Sequence, residues 1–232
     1  LGRVSASPEA VPVYAKLESF SPGASVKDRI GKYMLEGMLE AGDLDPDGTV
    51  IEPTAGNTGI GLAVAAGQLG LDAVFVVPER FSVEKQQLMR ALGAEVINTP
   101  TDEGMGRAIE RAHALAEELD GGVVPQQFSN PLNAEAHYAT TAPEVYEALD
   151  DEVGAVVAGT GTGGTLMGMA DDALERDPDT RIVAVQPEGS MYGAFFDDDP
   201  EEGAYKTEGI GTHDPATNEL FDPDVVDDLL TV

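Results

Sequence analysis

Glu18-Ser-Phe-Ser-Pro-Gly-Ala-Ser-Val-Lys-Asp-Arg29 is the stretch whose reading decides the fold. Pro22 and Gly23 break regular structure, Ser25 is a good helix N-cap, and Asp28 suits the third helical position. An apolar run over residues 30–39 follows at once. The spacing predicts a loop opening into a helix, with Lys27 in the first helical turn. The helix dipole disfavours a cation there, so the amine loses proton affinity. Such an amine can act as a nucleophile or form a Schiff base. On this segment alone an ordinary surface lysine beside Arg29 is the favoured reading. Only five lysines occur in the chain, which counts against filler.

Downstream, short apolar segments alternate with helical ones. Strands are expected over residues 11–17, 49–52, 73–77, 94–98, 123–125, 155–158 and 181–186. Helices are expected over 30–40, 60–69, 83–92, 103–119, 134–149 and 165–175. After Pro187 the pattern fades into an acidic loop region. Short apolar strands separated by helices argue for parallel βαβ units. No linker divides the chain, so two lobes would be interleaved rather than sequential.

Two further strand–loop–helix junctions are rich in Gly, Thr and Asn, and ligands bind at this end of the strands in open α/β sheets. The first is Thr54-Ala55-Gly56-Asn57-Thr58-Gly59. Its glycines free backbone N–H groups, and the helix start behind it attracts an anion such as a carboxylate. A plain helix cap is the alternative. The second is Gly159-Thr160-Gly161-Thr162-Gly163-Gly164-Thr165, four glycines with hydroxyls between them at a helix start. That composition makes a phosphate cradle. No lysine follows, so it is not a Walker loop. Gly159, Gly161 and Gly164 satisfy G-x-G-x-x-G, but Gln186 stands where a ribose-binding acid would be expected. His113, His137 and His213 sit at no metal-ligand spacing, and a structural role is favoured for His137. A lysine loop, an asparagine loop and a phosphate loop together fit a cofactor with an aldehyde, a ring oxygen and a phosphate, which is pyridoxal 5′-phosphate.

Composition bounds the partners. The 232 residues carry 13 Lys+Arg against 43 Asp+Glu, a net charge of −30. The acids are spread over turns and helix faces, a skin that repels itself at low salt and is screened at molar salt. It is read as adaptation to a salty cytoplasm, with plain acidic solubility as the alternative, and it argues against nucleic acid and anionic membranes. There is no cysteine, hence no disulfide framework and no thiolate nucleophile. No apolar run reaches membrane-spanning length.

Read together, these motifs resemble the cysteine synthase / cystathionine β-synthase family of pyridoxal-phosphate enzymes. Ser21 to Arg29 looks like its lysine motif, Glu52-Pro-Thr-Ala-Gly-Asn-Thr-Gly-Ile-Gly61 its asparagine loop, and Gly161 to Thr165 its phosphate loop. Gln127-Phe-Ser-Asn-Pro131 with Thr141-Ala-Pro-Glu144, and Glu208-Gly-Ile-Gly211, match further stretches. The resemblance implies an α/β protein of two interleaved three-layer α/β/α lobes with mainly parallel sheets, the tryptophan-synthase-β-like fold. Residues 1–33 and 132–232 would form the large cofactor-binding domain and 34–131 a small mobile domain for the substrate carboxylate. It implies Lys27 as the catalytic, cofactor-bonded amine and Asn57 as the partner of the ring oxygen. Gly161, Thr162, Gly163, Gly164 and Thr165 would hold the phosphate, with the Gly209 backbone beside the ring. Thr54, Ala55, Gly56, Thr58 and Gln127 would receive the substrate carboxylate. The reaction implied is β-replacement on O-acetylserine by sulfide, in a cytoplasmic homodimer without a metal. Cystathionine β-synthase or serine/threonine dehydratase chemistry is the near alternative, and a nicotinamide-dinucleotide domain on Gly159–Gly164 the distant one. Ser21 replaces the family's usual Asn, Ala24 its Gly, and Ala55 a common Ser. The chain is also expected to be cut at both ends, without the serine that partners the pyridine nitrogen.

Overall fold

The structure is a computed structural model that describes residues 11–54, 56–196 and 202–232, with the backbone of Gly2 and Arg3. The chain divides into two compact units, one of Glu18–Gln126 and one of residues up to Leu17 together with Gln127–Val232. The second unit is thus assembled from two separate stretches of chain that flank the first in sequence.

The unit 18–126 holds helix α1 (Lys27–Ala41), strand β3 (Thr49–Pro53), α2 (Asn57–Leu69), β4 (Asp72–Pro78), α3 (Val83–Ala91), β5 (Glu95–Thr99), α4 (Gly104–Glu118) and β6 (Gly122–Val123). The strands form one parallel sheet in the order β5-β4-β3-β6. Six of the seven residues of β4 are buried, as an apolar central strand covered on both faces requires. Ile51, Val74 and Val76 pack on Ala108, Ala112 and Leu115 of α4. Strand side chains alternate, so Ala73, Phe75 and Val77 of β4 face the opposite side. The chain winds β3-β4-β5 in one direction and then returns to set β6 on the far side of β3. The carboxyl ends of β3 and β6 are therefore a topological switch point, the place where such sheets bind ligands. Helix α1 packs on α2, and the two meet backbone to backbone. A Cβ on Gly31 would lie 2.5 Å from the Gly61 carbonyl, and one on Gly61 would lie 2.3 Å from the Lys27 carbonyl oxygen.

The other unit holds a short antiparallel pair, β1 (Gly2–Arg3) and β2 (Tyr14–Ala15), then α5 (Leu132–Ala136), a π turn (His137–Thr141), α6 (Ala142–Ala148), β7 (Ala155–Gly159), α7 (Gly164–Arg176), β8 (Arg181–Gln186) and β9 (Asp228–Thr231). Strands β7-β8-β9 form a parallel sheet in that order. Val156, Ile182 and Ala184 pack on Leu166, Ala170, Ala173 and Tyr146. On the opposite face Val157 of the edge strand is 60% exposed, while its partner Val183 in the central strand is 8% exposed.

Most expected elements are present within a few residues. The strand expected over 11–17 is confined to Tyr14–Ala15. The expected helix 134–149 is broken by the π turn, which inserts an i→i+5 bond from the Ala142 N–H to the His137 carbonyl. The region after Pro187 is not all loop. It carries a 3₁₀ segment (Met191–Phe196) and β9. The acids around β9 masked it, and two of them fasten it: Asp227 accepts the Ile182 N–H at 2.7 Å, and Asp228 pairs with Arg181.

The glycine crossing generates a prediction. Gly61→Ala forces α1 and α2 apart and lowers the urea midpoint by an amount equivalent to about 1–3 kcal/mol. Gly106→Ala, in α4 where a Cβ meets nothing within 4 Å, leaves the midpoint unchanged or raises it. Equal midpoints for the two variants would refute the tight crossing.

Candidate functional site

In the unit 18–126 the helix start at Lys27 is built from its own loop. Val26 occupies the N-cap position, and the Ser25 hydroxyl, one residue earlier than an N-cap, accepts the Lys27 N–H at 3.2 Å. Ser25 is therefore not the cap itself. Asp28 reaches back to accept the Gly23 N–H, and Arg29 makes a double contact with Glu18 at 2.6 and 2.9 Å. Burial pushes the Asp28 carboxyl up; the Gly23 bond opposes this and the Glu18 charge adds to it. Burial also lowers Lys27 to about 8. The low proton affinity expected from the helix end is thus present, and desolvation is its cause.

The asparagine loop follows β3 at the switch point. The Thr54 hydroxyl, 2% exposed, accepts the N–H groups of Gly56 and Gly59, each at 3.2 Å, and so ties the loop to the first turn of α2. Asn57 is the first residue of α2, and its side chain hydrogen-bonds no described residue. Thr58 is buried beside it. Ala55 lies outside the described residues. Glu52, 1% exposed, accepts the Gln126 N–H at 3.3 Å and joins the ends of β3 and β6. Lys85 of α3 lies over the loop, with Nζ 2.9 Å from where a Gly56 Cβ would stand. Sequence reading missed both. Lys85 belongs to an ordinary amphipathic helix, and only its rarity as a lysine could have marked it.

In the other unit the glycine loop ends on α7. Gly163 has φ +88°, open to glycine at little strain. A Cβ on Gly161 would lie 2.4 Å from the Gly209 carbonyl oxygen, and Gly209 itself has φ +86°. The loop and the late glycine turn are thus brought together, and the Gly211 N–H donates to the Thr160 carbonyl at 2.6 Å. Buried polar side chains hold the loop from behind. Asn133 Nδ2 donates to Thr162 Oγ at 3.0 Å and to the Gln127 carbonyl at 2.7 Å. The Tyr192 hydroxyl donates to the Gly161 carbonyl at 3.0 Å, and Asn218 Nδ2 reaches both partners. His137, fully buried, meets Thr165 Oγ with Nε2 at 3.1 Å. None of these braces was singled out as a site residue, because nothing in sequence links residues 133, 192 and 218 to a loop at 161. Gln127 is 6% exposed in this unit. Gln186, where a ribose-binding acid was sought, is buried and donates to Thr231 at 3.1 Å.

One unit thus carries a lysine of low proton affinity and an anion-favouring helix start, and the other a glycine loop with hydroxyl donors, the chemistry that an aldehyde-bearing, phosphorylated cofactor calls for. The sequence profile of the pyridoxal-phosphate dependent enzymes matches residues 1–231, and the chain belongs to that family, on its cysteine synthase / cystathionine β-synthase branch. It is 46% identical over 220 residues to the O-acetylserine dependent cystathionine β-synthase of Bacillus subtilis, covering 95% of this chain and 68% of that protein. It is 48% identical over 199 residues to a cysteine synthase of Helicobacter pylori, covering 86% of this chain and 64% of that protein. Among solved structures, the O-acetylserine dependent cystathionine β-synthase of Helicobacter pylori superposes with TM-score 0.85 at 46% identity, over 95% of this chain and 70% of that one. The chain therefore spans about two thirds of the length of these relatives.

The described residues fit pyridoxal phosphate. Lys27 is an amine suited to an aldehyde. Thr162 Oγ accepts from Asn133 and from the Gly164 N–H, and its own proton is spent on no described residue, so it remains to be donated to an anion. Among the described residues no group of His, Asp and Glu is placed to hold a metal ion, and no helix is long and apolar enough to cross a membrane.

The depressed lysine is measurable. In ε-¹³C-lysine spectra of the cofactor-free chain, one resonance titrates with a midpoint near 8 and disappears in Lys27→Met. Its folded-state value lies below the unfolded one, so the burial penalty is full below pH 8 and fades toward the ordinary lysine value of about 10.5. Lys27→Met is accordingly more stable than the parent at pH 7, with a margin that shrinks above pH 8. A Lys27 midpoint in the ordinary range would show that its amine is solvated.

Proposed function

We propose that this chain catalyses β-replacement on O-acetylserine, with sulfide as the incoming nucleophile and cysteine and acetate as products. The observation that supports this reading most is the desolvated, low-affinity amine of Lys27 in a chain closely similar to cysteine synthases and O-acetylserine dependent enzymes. In this reading Lys27 anchors the cofactor's aldehyde, Asn57 bonds its ring oxygen, and Gly161, Thr162, Gly163, Gly164 and Thr165 take its phosphate, with the Gly209 backbone flanking the ring. The bound cofactor supplies an electron-withdrawing ring that stabilises negative charge at the amino acid's Cα. Lys27, once free, removes the Cα proton. With burial lowering it to about 8, roughly a tenth of the amine is neutral at pH 7, against well under a thousandth at 10.5. That fraction is what a general base at neutral pH requires.

The substrate carboxylate is received at the start of α2 and by Gln127. The helix dipole and the loop N–H groups favour an anion there, and the charge of Lys85 over Gly56 adds to them. Thr54 serves the loop by accepting two of its N–H groups, which keeps Gly56 and Gly59 in place. Ala55, Thr58 and the Asn57 amide complete the set. A second reading, with homocysteine as nucleophile, is favoured by the name of the Bacillus subtilis relative. The reading extends to a homodimer in the cytoplasm of a salt-adapted cell, supported for the last point by the charge of −30.

Two experiments test this. Acetate release from O-acetylserine, followed with sulfide and separately with homocysteine, is expected to be abolished in Lys27→Ala while the circular dichroism is unchanged; undiminished turnover in a folded Lys27→Ala would sink the reading. The product formed, cysteine or cystathionine, selects the nucleophile. Thermal unfolding is expected to move to higher temperature from low salt to molar KCl, because screening removes the self-repulsion of the acidic surface. A transition that does not move would leave the acidic skin as a device for solubility.

A further inference from the structure

Two buried side chains, Thr141 and His137, and the half-buried Thr165 form an ordered chain behind the glycine loop. His137 Nδ1 lies 2.8 Å from Thr141 Oγ, and Nε2 lies 3.1 Å from Thr165 Oγ. The arrangement is held tightly. His137 and Thr141 are i and i+4 within the π turn, and α7 approaches this helix so closely that a Cβ on Gly168 would lie 2.0 Å from the Ala134 carbonyl oxygen. Gly168 is three residues after Thr165, on the same face of α7.

Hydrogen-bond accounting orients the chain. Thr141 is 2% exposed, and the contact to Nδ1 is the one hydrogen bond of its hydroxyl among the described residues. Its neighbour Thr140 instead donates back to the Ala136 carbonyl. If Nδ1 carried the proton, the Thr141 hydroxyl could only accept, and its own proton would be buried without an acceptor, which is costly. With Nδ1 bare, Thr141 donates to it, and the proton sits on Nε2. Nε2 then donates to Thr165 Oγ, for which this is likewise the one bond among the described residues. The Thr165 proton is left over. Thr162 is in the same condition for an independent reason, since it accepts from the Asn133 amide and the Gly164 N–H. Both hydroxyls of the loop therefore offer protons, at the start of a helix whose dipole favours an anion.

We propose that His137 is a positioning residue for the phosphate subsite: it holds its proton on Nε2 and so makes Thr165 a hydrogen-bond donor to the cofactor's phosphate. This rests on the pyridoxal-phosphate reading of the site. The reverse tautomer would take the Thr165 proton for itself and present a lone pair to a dianion. A doubly protonated ring would, like the reverse tautomer, leave the Thr141 proton without an acceptor among the described residues.

The test has two arms. Long-range ¹⁵N–¹H spectra of the cofactor-free chain, with His137 assigned by its loss in His137→Leu or in His137→Gln, are expected to show a protonated Nε2 and a bare Nδ1; a protonated Nδ1 overturns the proposal. Equilibrium binding is then measured for pyridoxal 5′-phosphate and for pyridoxal, which lacks the phosphate. His137→Leu is expected to bind the phosphorylated form about tenfold more weakly, as for loss of one oriented donor to an anion, with pyridoxal binding unchanged. His137→Gln, whose amide can donate to Thr165, is expected to recover most of the loss. Equal losses for both ligands would mean that His137 merely supports the fold and would overturn the role. A parent chain that binds neither ligand would overturn the pyridoxal-phosphate reading itself, an outcome the parent's spectrum distinguishes from failure of the tautomer.

Discussion

The crossing of α1 and α2 at Gly31 and Gly61 is the constraint on which one half of the site depends. The Gly61 Cα rests against the carbonyl of Lys27, so a side chain at either glycine would part the helices. That approach fixes the distance between the first turn of α1, which carries the amine, and the first turn of α2, which carries Asn57. Two loops far apart in sequence thereby become one surface. Elsewhere in this unit a buried strand and its flanking helices supply ordinary core, and the arrangement at the strand ends inherits its rigidity from them.

The other unit uses hydrogen bonds where the first uses close backbone contact. Its glycine loop has few side chains of its own, and it is held by Asn133, His137, Tyr192 and Asn218, all buried. Burial makes these bonds costly to lose, because each freed polar group would have no water to turn to. Tyr192 illustrates the balance: burial raises its proton affinity, the bond from Asn218 works against this, and the hydroxyl remains a donor to Gly161.

What could be read in the sequence follows the range of the forces involved. Helices α1, α2, α3, α4 and α7 and strands β3, β4, β5, β7 and β8 were legible because each carries its period and its breakers within a dozen residues. The three loops were legible because glycine, threonine and asparagine concentrate there. Strand β9 was not, since four residues flanked by acids carry no period, and its pairing with β8 and the bond from the Ile182 N–H to Asp227 act over some 45 residues. The cause of the low affinity of Lys27 was misread for a similar reason. A helix end is visible locally, whereas burial is a property of the assembled fold. His137 looked structural in isolation, and only its two threonine partners, one of them 28 residues away, give it an orientation.

The π turn at residues 137–141 can be considered as an insertion. One residue more than an α-helix needs is accommodated between α5 and α6, and the helix continues beyond it. Such bulges weaken the helix locally and are found at functional places. Removing one residue from 138–140 would restore regular winding and a sounder helix, yet it would rotate Thr141 away from the ring of His137. The extra residue therefore costs helix stability and secures the threonine–histidine contact in exchange, so a deletion here trades one for the other while a substitution on the outer face touches neither.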